Sequence, residues 1–369
     1  MVSLSRRQFV AAAPLTLGGA SILSACSRGY DPEDYDAVAE RVRRASALVG
    51  IEGAALSQEL IRYATLAPSS HNTQCWKFAL ESQAITILPD PLRRCPAVDP
   101  DEHHVFVSLG CATENLVHAA LAHGLNAEAG FDASHEAIRV VLRPTRAEVS
   151  ALFNAIPVRQ CTRGGYDSMP LSTAELSLLE RAGNSDTVRM LLITERPAVE
   201  RVLDYVVQAN TAQMADAAFV KELESWIRFN GPAAVRTGDG LYTGCTGNPK
   251  IPTWVGHLGF GWFYKPKSEN DKYVRQIRSS AGIAVFVGAS ADKASWVEVG
   301  RSYERFALQT TALGIRNALL NQPVEVQSVR PQFATALGLT GQRPDLVVRF
   351  GRGPSMPLSL RRPVQAVLV

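Results

Sequence analysis

The stretch "LAPSSHNTQCWKF", Leu66 to Phe78, crowds polar side chains into one short turn. Pro68 disfavours helix in the residue before it, so a preceding helix must stop there. Ser69, Ser70, His71, Asn72 and Gln74 follow, and Trp76 anchors a strand-like run beyond them. Polar groups this dense at a helix-to-strand junction suit a ligand with many hydrogen-bonding edges, such as a sugar-alcohol chain or a heteroaromatic ring. The other reading is a turn that satisfies itself through its own Ser and Asn side chains.

Three further stretches bear on the choice. They are "RQCTRGGY" (Arg159 to Tyr166), "ALGIRNALLNQPVE" (Ala312 to Glu325) and "RFGRGPSMPLSLRRPVQAVL" (Arg349 to Leu368). Pro-Ser-Ser-x-Asn-x-Gln-x-Trp resembles the flavin-contacting segment of the nitroreductase family. The other three resemble, in order, that family's Arg-x-Ser-x-Arg motif, the strand and turn beside the flavin's reactive centre, and the C-terminal Gly-x-Gly turn with its basic pair. The order fits the single-chain, Acg-like branch, in which two nitroreductase-type halves are fused and one site degenerates. The resemblance runs from about residue 50 to the end and implies FMN as cofactor.

It also implies roles. Arg159, Arg361 and Arg362 would hold the phosphate, because guanidinium forks are planar and always charged. Arg163 would face the pyrimidine edge, where a cation favours the anionic reduced ring. Ser69, Ser70, Asn72 and Gln74 would bond the ring or ribityl chain from the opposite half. Backbone groups of Leu319, Leu320 and Asn321 would lie against the hydride-accepting nitrogen. Cys161 stands where the family has Ser or Thr, a weaker donor whose contact Thr162 could take over. Cys75 replaces the Pro of Gln-Pro-Trp and places a thiol near the ring. No side chain is required as a nucleophile, so no catalytic residue is assigned. His103-His104, His118 and His123 read as structural, since His118 and His123 lack the i,i+4 spacing of a helical metal pair; no metal site is expected.

The elements that must position these groups form an α+β pattern. A helix capped by Ser57 runs to about Ala67, strands follow near 76–81 and 84–88, then a helix over 102–123 and strands at 126–131 and 136–142. The second part reads as a helix from Ser172 to Ala182, a strand at 187–193, a long helix from about Pro197, and strands at 282–288, 315–319 and 345–350. Two helical segments match without a gap: "VSLGCATENLVHAALAHGLNAE" from Val107 and "VEVGRSYERFALQTTALGIRNA" from Val297. Gly110, Glu114 and Gly124 correspond to Gly300, Glu304 and Gly314. A duplicated unit in one chain points to a fused pseudo-dimer, with mixed or antiparallel sheets flanked by helices and any site at the junction. Between them "FNGPAAVRTGDGLYTGCTGNPKIPTWVGHLGFGWFYKP", residues 229–266, reads as a functional loop or lid, with Trp254, Phe260, Trp262, Phe263 and Tyr264 available to cover a ring.

The chain opens "SLSRRQFVAAAPLTLGGASILSAC". Ser-Arg-Arg-x-Phe resembles the twin-arginine (Tat) export signal, and Leu23-Ser24-Ala25-Cys26 a lipobox. Residues 1–25 are then a signal peptide, Cys26 the lipidated residue, and 26–49 a tether and first helix. Residues 50–156 form the first nitroreductase-like half and 157–369 the second. The expected location is outside the cytoplasmic membrane, anchored through lipid at Cys26, with the Tat machinery as export partner. Such a route suits a flavoprotein, because a charged cofactor must be loaded before export. With 369 residues, 46% of them hydrophobic, the chain can bury a substantial core, and a net charge of +3 without a basic block gives no nucleic-acid surface. Besides Cys26 there are Cys75, Cys95, Cys111, Cys161 and Cys245, an odd number that leaves at least one free thiol.

Two functions remain. One is an FMN-dependent oxidoreductase passing electrons from a donor the sequence does not identify to a small acceptor such as a quinone or nitroaromatic. The other is an FMN-binding or sequestering protein with little turnover.

Overall fold

The turn at Leu66 and its sheet owe their placement to the helix before them. In the computed structural model, which describes residues 34–45 and 50–369, that helix is Gly53–Thr65. The twin-arginine segment and Cys26 lie outside the described residues. Ser57 does not cap the helix; it sits within it, its hydroxyl bonding back to the Gly53 carbonyl at 3.4 Å, as mid-helix serines do.

The first half continues with β1 (Trp76–Leu80), β2 (Ala84–Pro89), the helix His103–Ala122, β3 (Leu125–Asp132) and β4 (Ala137–Pro144). Its sheet is antiparallel in the order β1-β2-β4-β3. The second half has the helix Thr173–Gly183, closed at its start by a Ser172/Glu175 capping box, and then β5 (Val188–Ile193). The short pair β6 (Ile227–Arg228) and β7 (Leu241–Tyr242), β8 (Gly282–Gly288), the helix Lys293–Ala312, β9 (Arg316–Leu319) and β10 (Leu346–Gly351) complete it. That main sheet runs β5-β8-β10-β9, again antiparallel. Strand for strand this is the order of the first sheet, with β5 in the place of β1 and β9 in the place of β3.

The halves join through the two matched helices, which pack side by side. A Cβ added to Gly110 would sit 2.0 Å from the Val297 carbonyl oxygen, and one added to Gly300 would sit 2.0 Å from that of Val107. Val107 and Val297 open the two repeats, so each residue meets the counterpart of the one that meets it. Reciprocity of this kind is what a twofold interface imposes. The helices approach through backbone at both points, which only glycine permits. Gly124 and Gly314 end the matched helices with φ of +77° and +68°, the left-handed stop that glycine adopts freely. Around this crossing lies the main core, with Trp76, Phe106, Phe286, Phe306 and Phe350 fully buried.

Residues 229–266 are folded rather than loop-like. They contain the helices Gly231–Thr237, Thr243–Thr246 and Thr253–Phe263, and β7 pairs in parallel with β6. Asn230 caps the first of these by accepting from the Ala233 N–H at 3.0 Å. Phe229 and Phe260 build a small core of their own with Ile227, and Phe260 stacks on Tyr264 at 4.4 Å. Trp254 stays 69% exposed, while the side chains of Trp262 and Phe263 lie outside the described ones. The apolar helix His103–Ala122, long enough on composition to cross a membrane, is 83% buried inside the fold.

Candidate functional site

The Leu66–Phe78 turn carries three non-glycine residues with positive φ, His71 (+49°), Asn72 (+53°) and Gln74 (+55°). Such conformations persist only where surrounding contacts impose them. Asn72 supplies some of these, donating to the carbonyls of Gly240 (3.1 Å) and Leu360 (3.3 Å) and accepting from Arg361 (3.0 Å). Gln74 donates to the Gly238 carbonyl at 2.8 Å and accepts from the Arg362 N–H at 2.8 Å. The Ser69 hydroxyl accepts from the Gln74 N–H at 2.9 Å. Asn72 and Gln74 are therefore buried clamps that tie the turn to the insertion and to the C-terminal segment.

Ser69, Ser70 and His71 line a cleft of about 210 Å³ against Arg163, Leu319, Asn321, Gln322 and Glu325 of the second half. Thr246, Asn248 and Tyr264 form its insertion side. Asn321 is fixed there because its side-chain oxygen accepts from the Val347 N–H at 3.1 Å. Of the residues singled out in the sequence, the cleft thus brings together Ser69, Ser70, Arg163, Leu319 and Asn321.

The others lie elsewhere. Leu320 turns into the second hydrophobic cluster and its N–H pairs with the Val347 carbonyl at 2.7 Å. Cys161 bridges to Asn317, its sulfur 3.8 Å from the Tyr303 hydroxyl. Arg159 is buried, 3.1 Å from Glu304, and donates to the Leu66 carbonyl at 2.8 Å. Arg361 donates to the carbonyls of Thr65, Leu66 and Ala67 and to the Ser359 hydroxyl. Arg362 donates to the Gln74 carbonyl at 2.9 Å. None of these arginines lines the cleft. Arg159 and Arg361 satisfy carbonyls that the ending helix Gly53–Thr65 leaves open, and Arg362 one in the turn beyond it. Cys75 is also off the cleft, and burial pushes its thiol up to about 12. Cys111 is the cysteine that lines it.

Two lining groups escaped the sequence reading. His104 stands 3.4 Å from Glu325, whose other oxygen accepts from Gln213 at 2.7 Å. Burial works to lower His104, but the Glu325 and Asp99 carboxylates outweigh it and hold it above the ordinary histidine value. Burial likewise works to raise Glu325, and His104 and Gln213 overcome that. For His71 burial outweighs the pull of the Glu325 carboxylate, and with Arg163 and His104 nearby takes it down to about 4. The adjacent pair His103-His104 gave no hint of which ring meets the cleft, because helix phase decides it: His103 turns instead to Asp345, at 3.0 Å.

No family model matches the sequence. Two Mycobacterium tuberculosis proteins, each named "Putative NAD(P)H nitroreductase" and from different strains, are 24% identical to the chain over 320 residues, covering 84% of it and 90% of themselves. Among solved structures, an FMN-dependent nitroreductase from Mycobacterium smegmatis in complex with NADPH is 12% identical, with a TM-score of 0.37 over 59% of this chain and 91% of that one. A nitroreductase with bound FMN from Desulfitobacterium hafniense is 14% identical, with a TM-score of 0.36 over 57% and 94%. The chain is thus similar, along most of its length, to proteins named as nitroreductases.

Proposed function

We propose that the chain is an FMN-dependent oxidoreductase of the nitroreductase type, passing electrons from a donor to a small flat acceptor such as a quinone or nitroaromatic. One observation carries the reading: Ser69 and Ser70 from one half meet Arg163, Leu319 and Asn321 from the other across a single cleft. The donor set suits a flavin. The two serine hydroxyls present donors and acceptors to a heteroaromatic edge, and Arg163 places a permanent positive charge at the rim. The Gln322 side-chain oxygen is buried at the cleft without a hydrogen-bond partner, as an acceptor awaiting a ring N–H would be. When bound, FMN supplies the two-electron chemistry, and the protein supplies orientation and electrostatics. His104 and Glu325 pair at the cleft wall, each favouring the other's charged form.

The names of the relatives make a nicotinamide dinucleotide the first donor to try. Export as a Tat lipoprotein anchored through Cys26 belongs to the same proposal and rests on the opening sequence. The direct test is the full-length protein isolated after export. Yellow colour that bleaches with a reductant and returns with a quinone is the expected result. Colour that small acceptors cannot restore assigns storage instead, and a colourless protein that takes up no FMN overturns both. Ser70→Ala and Arg163→Ala should each weaken FMN binding roughly tenfold, the loss of one good polar contact.

A further inference from the structure

Beside the cleft, on the insertion side, lies a second cavity of about 600 Å³ that shares Arg163, Asn248 and Lys272 with it. Arg163 with Gly164 and Gly165 forms one wall, and Lys272 and Arg275 line another from the helix Pro266–Arg278. Thr243, Ser268 and Ser279 add hydroxyls. Charge here is unbalanced. Glu269 is the one carboxylate on the wall, and it stands 3.8 Å from the Lys272 ammonium, which also donates to Asn248 at 3.2 Å. Arg163 and Arg275 have no side-chain hydrogen bond or ion pair among the described residues. Burial lowers the lysine's affinity for its proton, and of the charges around it only Glu269 opposes the two guanidiniums that add to this. An entering anion would relieve that repulsion. The wall is stiff where it matters, since Arg349 donates to the carbonyls of Thr162 (3.0 Å) and Gly164 (2.7 Å) and Gln276 donates to that of Arg163.

The arginines expected to hold a phosphate offer a contrast. Arg159 has Glu304 and the Leu66 carbonyl, and Arg361 has the carbonyls of Thr65, Leu66, Ala67 and Leu360 besides Asn72 and Ser359. An anion there would displace bonds already made and would meet the Glu304 carboxylate.

We propose that the cavity walled by Arg163, Lys272 and Arg275 seats a nucleotide phosphate whose flat ring lies in the adjoining cleft. The inference rests on the flavin reading of that cleft. The phosphate is that of FMN itself or of a nicotinamide dinucleotide, and binding separates the two. The full-length chain and its Lys272→Gln/Arg275→Gln double variant are titrated with FMN, with riboflavin, which lacks the phosphate, and with NADPH. If FMN is the source, the double variant loses at least tenfold in FMN affinity and none in riboflavin affinity. If the dinucleotide is the source, both flavins bind as before and NADPH affinity falls at least tenfold. Unchanged affinity for all three overturns the proposal. If the unaltered chain binds neither flavin, the reading of the cleft fails separately, and inorganic pyrophosphate then judges the cavity. Binding lost in the double variant sustains the phosphate seat; no binding, or binding equal in both proteins, ends it.

Discussion

The two repeats place a carboxylate at the same position, yet their surroundings drive it in opposite directions. Glu114 stands 3.0 Å from Arg301, 3.1 Å from Arg305 and 3.5 Å from His118, and these partners overcome its burial and hold it at about 2. Glu304 has Arg159 at 3.1 Å, and burial still pushes it up. The glycines one turn earlier behave alike, each admitting the other helix's backbone. The two helices thus share what the crossing of two backbones demands and differ in their charge partners. The site diverges too. The turn before β1 carries the clamped Pro-Ser-Ser segment, whereas residues 184–187 before β5 are a short connection. The cleft described above is built on the first of these turns.

The most damaging change should be at the crossing itself. Gly110→Ala and Gly300→Ala each put a methyl group where a carbonyl oxygen stands, so the helices must part. Alanine is the better helix former by about 1 kcal/mol, yet each variant should lose about 3 kcal/mol or more, measured by chemical denaturation. Matched losses would sharpen the reciprocity; a neutral result at one site would break it.

The carboxylates come next. Glu304→Gln leaves the fully buried Arg159 without its counter-charge and should cost about 3 kcal/mol. Glu114→Gln leaves Arg301 and Arg305, each with 22% of its side chain exposed, and should cost roughly half as much. Equal losses would remove the distinction drawn between the repeats.

Titration separates them further. Glu114 is depressed in the fold, so its contribution is whole above the unfolded carboxyl value and is lost as pH falls from about 4.5 toward 2. His71 is also depressed but is a base. Above about 6.5 it contributes nothing; as pH falls toward 4 the unfolded chain takes a proton that the fold refuses, and stability drops by up to about 1.4 kcal/mol per unit. His71→Asn, which tolerates the left-handed backbone, should flatten the window from 6.5 to 4, and Glu114→Gln the one below it. Denaturation midpoints against pH, read for each variant, would show both windows.

What the sequence conveyed follows from how local each signal is. The strands near 76–81, 282–288 and 345–350 were readable because short β-rich runs, alternating in the first and nearly all apolar in the others, and their flanking turns are written in a few consecutive residues. The repeat was readable because Gly110, Glu114 and Gly124 recur at fixed spacing. The arginines were not. Arg159 and Arg361, expected at a phosphate, face the open carbonyls of Thr65, Leu66 and Ala67, which no pattern near residue 159 or 361 announces. The insertion misled for another reason: in "TWVGHLGFGWF" the apolar residues surround the helix and glycines interrupt it, so no amphipathic stripe marks it.

That insertion is the other asymmetry between the halves. β1 and β2 are joined by residues 81–83, whereas their counterparts β5 and β8 are separated by residues 194–281. Residues 229–266, within that span, contribute Tyr264 to the cleft while Trp254 points to solvent. A closing lid would bring Trp254 over the ring, and its removal would then weaken flavin retention and expose the ring to quenchers. A fixed wall makes a different demand: Trp254→Ser should change stability by no more than about 0.5 kcal/mol, as at other exposed positions. Iodide quenching of flavin fluorescence and the flavin dissociation rate should both match the unaltered protein. Tyr264→Ala in the same assays should move both, because that ring stands at the cleft and stacks on Phe260. A large effect at Trp254 would mean that the second half's extra segment closes over its ligand, and the difference between the halves would become one of motion as well as of sequence.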